Sequence, residues 1–366
     1  MTLSLPTVGR LALLLVGLTF GGCKSGESAA KPSADGGPAA PAPAAGKPPI
    51  TLTLGGYTTP REAYGMSIIP AFREHWKKEH DGQALEVRES YLASGAQARA
   101  IVGGFEADVA ALSLEADIDK VQKAKLITGD WKAGEHAGMV TRSVVVIGVR
   151  KGNPKGIKDW ADLAKPGVSV LTPNVRTSGG AMWNVLGIYG AALRGHAGVK
   201  QGDVEGATKL LAGILANVKI MDSGARDSML NFERGVGDAI ITYENEILVA
   251  TPETRHEYVT PESTVLIENP VAVVDGYSKK HGVDEAAKAF VTFLTSPEAQ
   301  RAFADHGLRP VVASVAEETK AKFAPVADLF TVKDLGGWPE LQKTVFAADG
   351  IYDKALALSR GKGKAK

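Results

Sequence analysis

Ser94-Gly95-Ala96 opens a short helical pattern that runs to Phe105, and Asp108-Val109-Ala110-Ala111-Leu112 follows it as an apolar run behind one acidic residue. Ser223-Gly224-Ala225 opens another helix, and Asp238-Ala239-Ile240-Ile241-Thr242 follows that one in the same way. The serine-to-aspartate spacing is 14 residues in the first copy and 15 in the second. A short helix leading into a buried strand is the βαβ signature of a parallel sheet. Two pieces built on one plan predict two similar lobes.

The rest of the chain extends this alternation. Ile50-Thr51-Leu52-Thr53-Leu54 and Leu85-Glu86-Val87-Arg88-Glu89 alternate with period two and predict strands. Between them Arg61 to Lys78 has a helical pattern, with a break expected at Pro70. Val144 to Val149 is apolar throughout, as a strand covered on both faces must be. Ser169 to Thr172 and Val218 to Ile220 add two more strands. Ser296-Pro297-Glu298 supplies a capping hydroxyl, an N1 proline and an acidic first turn for a helix through Phe303. The class is α/β with parallel sheets. At 366 residues, with roughly 150 per domain, two domains are expected.

Both ends stand outside the pattern. Leu11 to Phe20 is apolar but too short for a helix across a ~30 Å hydrocarbon core, which takes ~20 residues. Residues 1–23 therefore predict a secretory signal. Its ending, Gly21-Gly22-Cys23, resembles the bacterial lipobox, in which lipid is attached to the cysteine; Phe20 stands where that motif usually has leucine. The resemblance implies an extracytoplasmic, periplasmic protein held to a membrane by lipid on Cys23 alone. Residues 24–49 are rich in Ala, Gly and Pro and read as a linker, spanning on the order of 28 Å as a coil. Residues 351–366 form a C-terminal segment whose basic tail, Ser359 to Lys366, is expected to be solvated.

Composition removes several functions. Forty-two Lys and Arg against 41 Asp and Glu leave a net charge of +1, without the basic excess of a nucleic-acid binder. One cysteine excludes an intramolecular disulfide and a Cys-rich metal site. The seven histidines contain no HExxH, and His75 and His80 lie five apart, on different faces if helical, and are expected to be solvated. No G-x-S-x-G elbow and no phosphate-binding P-loop is present, and Gly235-Val236-Gly237 meets Ile240 where a dinucleotide fingerprint needs glycine. No catalytic residue, metal or cofactor is expected.

What recurs is a hydroxyl beside a small residue at a helix start: Ser94-Gly95-Ala96, Thr177-Ser178-Gly179-Gly180 and Ser223-Gly224-Ala225. A helix start presents unpaired N–H groups and the positive end of the dipole, so it either takes a cap or accepts an anion. Both readings stay open from the residues alone.

Longer motifs narrow the choice. Val149-Arg150-Lys151-Gly152-Asn153-Pro154-Lys155-Gly156-Ile157-Lys158-Asp159-Trp160, Lys165-Pro166-Gly167-Val168, Thr172-Pro173-Asn174 and Trp183-Asn184 accompany the second junction. Asp222-Ser223-Gly224-Ala225-Arg226, Phe232-Glu233-Arg234-Gly235 and Glu244-Asn245-Glu246 accompany the third. In this order they resemble the periplasmic sulfate/thiosulfate-binding proteins of ABC importers, from about Leu54 to Pro310, with weaker likeness through Trp338. The resemblance implies a two-lobed type II periplasmic binding fold with two crossover strands and a central anion cleft. Lobe one is expected at 50–149 and 268–350, lobe two at 150–267. Carried over, Ser94 of the first lobe and Ser178, Gly179, Gly180 and Ala225 of the second bind the anion, while Arg226 supports its loop. The implied partners are a sulfate or related oxyanion, a permease and its ATPase.

Two positions depart from the family: Thr58 follows Tyr57 in place of aspartate, and Tyr243 stands in place of tryptophan. Both are counted among the anion-binding residues. An indole N–H only donates, whereas a phenol or a Thr hydroxyl also accepts, which weakens discrimination against a protonated oxyanion. Sulfate or thiosulfate capture, a shift toward phosphate or another tetrahedral oxyanion, and a lipid-anchored sensor remain alternative readings.

Overall fold

The computed structural model describes residues 47–249 and 256–362. The expected signal segment with Cys23, most of the linker and the last four residues of the tail lie outside the described residues. The strands are β1 (Ile50–Tyr57), β2 (Leu85–Leu92), β3 (Val109–Ala111), β4 (Met139–Val149), β5 (Val170–Leu171), β6 (Val218–Ile220), β7 (Ala239–Tyr243), β8 (Glu257–Val259), β9 (Ser263–Val273), β10 (Arg309–Pro310) and β11 (Asp328–Phe330). Their order is β2-β1-β3-β9-β4-β7-β5-β6. β1 lies parallel between β2 and β3, and β5 lies parallel between β6 and β7. Each lobe thus holds one such trio, and the helices Ser94–Val102 and Ala225–Glu233 precede β3 and β7 in the same way.

The two aspartates that begin the repeated strands do the same work. Thr53 N–H donates to Asp108 Oδ2 at 2.7 Å and Asp108 N–H to the Thr53 carbonyl at 2.8 Å. Ser169 N–H donates to Asp238 Oδ2 at 2.8 Å and Asp238 N–H to the Ser169 carbonyl at 2.7 Å. The internal likeness is therefore structural.

β4 and β9 are the long strands, 11 residues each, and they change partners midway. β9 pairs with β3 over Val271–Val273 and with β4 over Leu266–Pro270, while β4 goes on to pair with β7 over Val145–Val149. They join the lobes twice. Burial on both faces explains the apolar run in β4: Val145, Ile147 and Val149 enter a core with Trp160 and Trp183, and Val144 and Val146 enter one with Phe232 and Ile240. In the first lobe Leu52 and Leu54 meet Phe72, Phe290 and Phe303.

Three expectations are corrected. Pro70 does not break its helix: Arg61–Ala63 passes into a π-helical stretch, Tyr64–Ile68, and on into Ile69–Glu79. The widened winding just ahead of Pro70 accommodates its ring and missing N–H. The assignment of 268–350 to lobe one does not follow the packing. β11 pairs with β9 at Ser263–Val265, and Phe330, Val332, Trp338 and Leu341 join the core of Trp160 and Trp183. The chain from Asp328 onward belongs with lobe two. The tail also starts later than expected, since Ser359 to Lys362 completes the helix Ile351–Lys362.

Gly190 shows how tightly this return is packed, because a Cβ there would stand 2.5 Å from Phe330 Cζ. Gly190→Ala is expected to destabilise the protein by about 1–3 kcal/mol, as overpacking does, read as a lowered thermal midpoint. An unchanged midpoint would contradict the docking of β11 at this place.

Candidate functional site

Three helices aim their starts at one place. Ser94 is the first residue of Ser94–Val102, Ser178 caps Gly179–Leu193, and Gly224 precedes Ala225–Glu233. Their proximity is read from what a Cβ on each glycine would touch. On Gly95 it would lie 3.1 Å from the Thr177 carbonyl oxygen, and on Gly179 2.6 Å from Ser113 Oγ. On Gly180 it would lie 2.9 Å from Tyr243 Cε2 and 3.1 Å from Ala225 Cβ, and on Gly224 3.6 Å from Thr58 Oγ1. Thr58, Ser94, Ser178, Gly179, Gly180, Ala225 and Tyr243 are thus brought together from both lobes. All but Thr58 are buried.

The hydrogen bonds decide what each group can still offer. Ser94 Oγ donates to Asp117 Oδ2 at 2.6 Å and accepts from Ser113 N–H at 3.0 Å, so its hydroxyl proton is committed. Ser94 keeps its backbone N–H, at a helix start with no intrahelical acceptor. Ser178 Oγ accepts from Ala181 N–H at 3.3 Å and keeps its proton to donate. Tyr243 Oη and Ser113 Oγ are 2.7 Å apart. Burial pushes the Tyr243 phenol well up, so it stays neutral at physiological pH. The Tyr57 hydroxyl is buried with no hydrogen-bond partner among the described residues, its ring 6.4 Å from that of Tyr243. An orphaned buried hydroxyl is costly unless something fills its bond.

Of the nearby cations, Arg226 is occupied by carboxylates, while Arg99 Nη1, 3.5 Å from where a Cβ on Gly95 would stand, donates to the Arg176 carbonyl. Arg226 Nη1 lies 3.2 Å from Glu246 Oε2, and Nη2 lies 3.2 Å from Glu62 Oε1. Glu246 is 1% exposed, and burial pushes its carboxyl up to about 7 although Arg226 pulls the other way. Glu62 comes from lobe one and Glu246 from lobe two, so the guanidinium ties the lobes together. What remains for a ligand is a set of N–H and O–H donors with helix dipoles behind them, an arrangement suited to an anion. Among the described residues no group of three or more His, Cys, Asp or Glu could hold a metal ion.

Ser113, Asp117, Tyr57 and Glu62 are the site residues that sequence reasoning missed. One signal was present for Ser113: carrying the internal repeat one residue further sets Ser113, after Leu112, against Tyr243, after Thr242. The two equivalent positions meet each other in space. Tyr57 enters the sequence reading only as the neighbour of Thr58, and Asp117 and Glu62 act through tertiary approach and carry no local mark.

Residues 52–309 match the family described as bacterial extracellular solute-binding protein. The chain is 42% identical over 317 residues to the sulfate-binding protein of Synechococcus elongatus, covering 86% of this chain and 89% of that one. It is 36% identical over 311 residues to the thiosulfate-binding protein of Escherichia coli, covering 83% and 90%. The solved sulfate-binding protein SubI of Mycobacterium tuberculosis H37Rv superposes with a TM-score of 0.74 at 35% identity, covering 81% of this chain and all of that one.

Proposed function

The chain belongs to the bacterial extracellular solute-binding proteins and stands with their sulfate- and thiosulfate-binding members, and from that premise we propose that it captures sulfate between its lobes and presents it to an ABC importer. The observation that carries this reading is the convergence of three helix starts in a buried place where the Arg226 guanidinium is already held by two carboxylates. A dianion there is held by dipoles. The donors are the N–H groups of Ser94, Gly179, Gly180 and Ala225 and the hydroxyls of Ser178 and Tyr243, with Thr58 at the rim. Each charge-assisted bond contributes roughly 1.5–3 kcal/mol, and half a dozen of them offset the loss of water around the anion.

In this reading the lobes hinge about β4 and β9, and sulfate favours the closed form because only there do both lobes contribute donors. Lobe one comprises residues 50–144 and 267–327, and lobe two the remainder of the folded body. Lipid on Cys23 and the linker tether the receptor to a membrane, within reach of a permease whose transport is driven by a separate ATPase. Closure around a bound anion gives the permease a shape to recognise.

Titration calorimetry on the exported chain tests the proposal. The expected result is one sulfate per chain with a Kd on the order of 1 μM or tighter. Absence of heat with both sulfate and thiosulfate at millimolar concentration would rule it out.

A further inference from the structure

Ser113 is held more firmly than a packing residue requires. Its N–H donates to Ser94 Oγ at 3.0 Å, and its carbonyl accepts from Trp183 Nε1 at 3.0 Å and from Asn269 Nδ2 at 3.2 Å. Its hydroxyl is thereby fixed 2.7 Å from Tyr243 Oη, against the start of the helix that begins at Gly179. Both side chains are buried, Ser113 completely and Tyr243 to 1% exposure. The Asn269 side chain also hydrogen-bonds the phenol, but two hydroxyls in contact share one hydrogen and leave one over, and which of the two oxygens donates is not fixed by the pair itself. A donor-only group such as an indole N–H has no such freedom.

We propose that Ser113 and Tyr243 form a reversible hydrogen-bond relay that lets this site accept an oxyanion carrying one proton as well as one carrying none. The relay rests on the sulfate reading and specifies which anions share the site. With sulfate, Ser113 O–H donates to Tyr243 Oη and the phenol hydrogen points at an anion oxygen. With hydrogen phosphate the direction reverses. The P–O–H group donates to Tyr243 Oη, the phenol donates to Ser113 Oγ, and the Ser113 hydrogen turns to a neighbouring phosphate oxygen. The buried P–O–H then has an acceptor. In a site made only of donors it would have none, and the discrimination would be on the order of 10⁴-fold.

The test is calorimetry on the full chain with sodium sulfate and inorganic phosphate at pH 8, with chloride as the control anion. The wild-type protein is expected to bind both, phosphate within about 100-fold of sulfate. Ser113→Ala removes the phenol's acceptor, so phosphate binding is expected to weaken at least about 10-fold relative to sulfate binding in the same variant. Tyr243→Trp removes the phenol's lone pairs and is expected to weaken phosphate relative to sulfate by at least about 10-fold, and adding Ser113→Ala to it should not change that ratio further. Two results overturn the relay: phosphate more than about 10⁴-fold weaker than sulfate in the wild type, or an equal loss of both anions in Ser113→Ala. Sulfate binding without phosphate binding refutes the relay and leaves the proposed function standing. Phosphate binding that depends on Ser113, without sulfate binding, does the reverse.

Discussion

Gly179→Ala is expected to leave the protein folded and to weaken sulfate binding by about 100-fold or more, equivalent to about 2.7 kcal/mol. The residue is the first of a 15-residue helix and has no left-handed φ, so alanine suits its backbone. The three atoms nearest the added methyl all belong to the other lobe: it would stand 2.6 Å from Ser113 Oγ, 2.9 Å from Ser113 Cβ and 3.0 Å from Leu114 Cγ. In the proposed hinge motion the clash arises only when the lobes come together, so it is expected to act on the closed form and spare an open one. A ligand that needs the closed form loses affinity by the factor by which closure has become harder. Calorimetry and a thermal melt without ligand separate the two effects, with a retained midpoint expected beside the lost affinity. Unimpaired sulfate binding would mean that the ligand does not bring Gly179 and Ser113 this close. Gly190→Ala, on the same helix but against Phe330, is the contrasting case, since its expected cost is paid in stability.

The residues that could be read in advance are those whose role is local. Val144 to Val149 declares a doubly covered strand because each of its side chains must be apolar. The serine and glycine pairs at the helix starts were legible because capping and anion binding both depend on backbone N–H groups next to them in sequence. The earlier part of β4, with Thr141, Arg142 and Ser143, was not legible. Its pairing with β9 and β10 is set by the crossing of the lobes, and its own pattern carries no strand signal. Phe330 and Trp338 are apolar enough for either core, and only the parallel pairing of β11 with β9 commits them to lobe two. At the site, sequence located the Ser94 hydroxyl but not its loss to Asp117, because that partner lies 23 residues away and is fixed by packing.

Arg226 carries the second large effect. Arg226→Ala is expected to cost about 1.4 kcal/mol more at pH 8 than at pH 5, because a carboxyl held at about 7 beside the arginine and left protonated without it forfeits one pH unit of ionisation. The direction follows from Glu246. Burial holds its carboxyl at about 7 in the folded protein against 4.5 when exposed, so the folded state keeps a proton that the unfolded state releases between those values. The wild type therefore loses stability from this group as pH rises through that window. Without Arg226 the attraction that pulls the carboxyl down is gone and it rises further, which extends the loss above pH 7. At pH 5 Glu246 is protonated with or without the arginine, and little of the deficit remains. Glu62, a third exposed, adds less, because solvent screens its pair with Arg226. In a Glu246→Gln background no buried charge is stranded, so the same Arg226→Ala change is expected to cost no more than about 1 kcal/mol, and the double-mutant cycle isolates the pair. Denaturant melts of the four proteins at pH 5 and pH 8 provide the measurement. A deficit that is equal at the two pH values and survives in the Glu246→Gln background would place the cost in the packing of the Arg226 stem and not in the charge it neutralises.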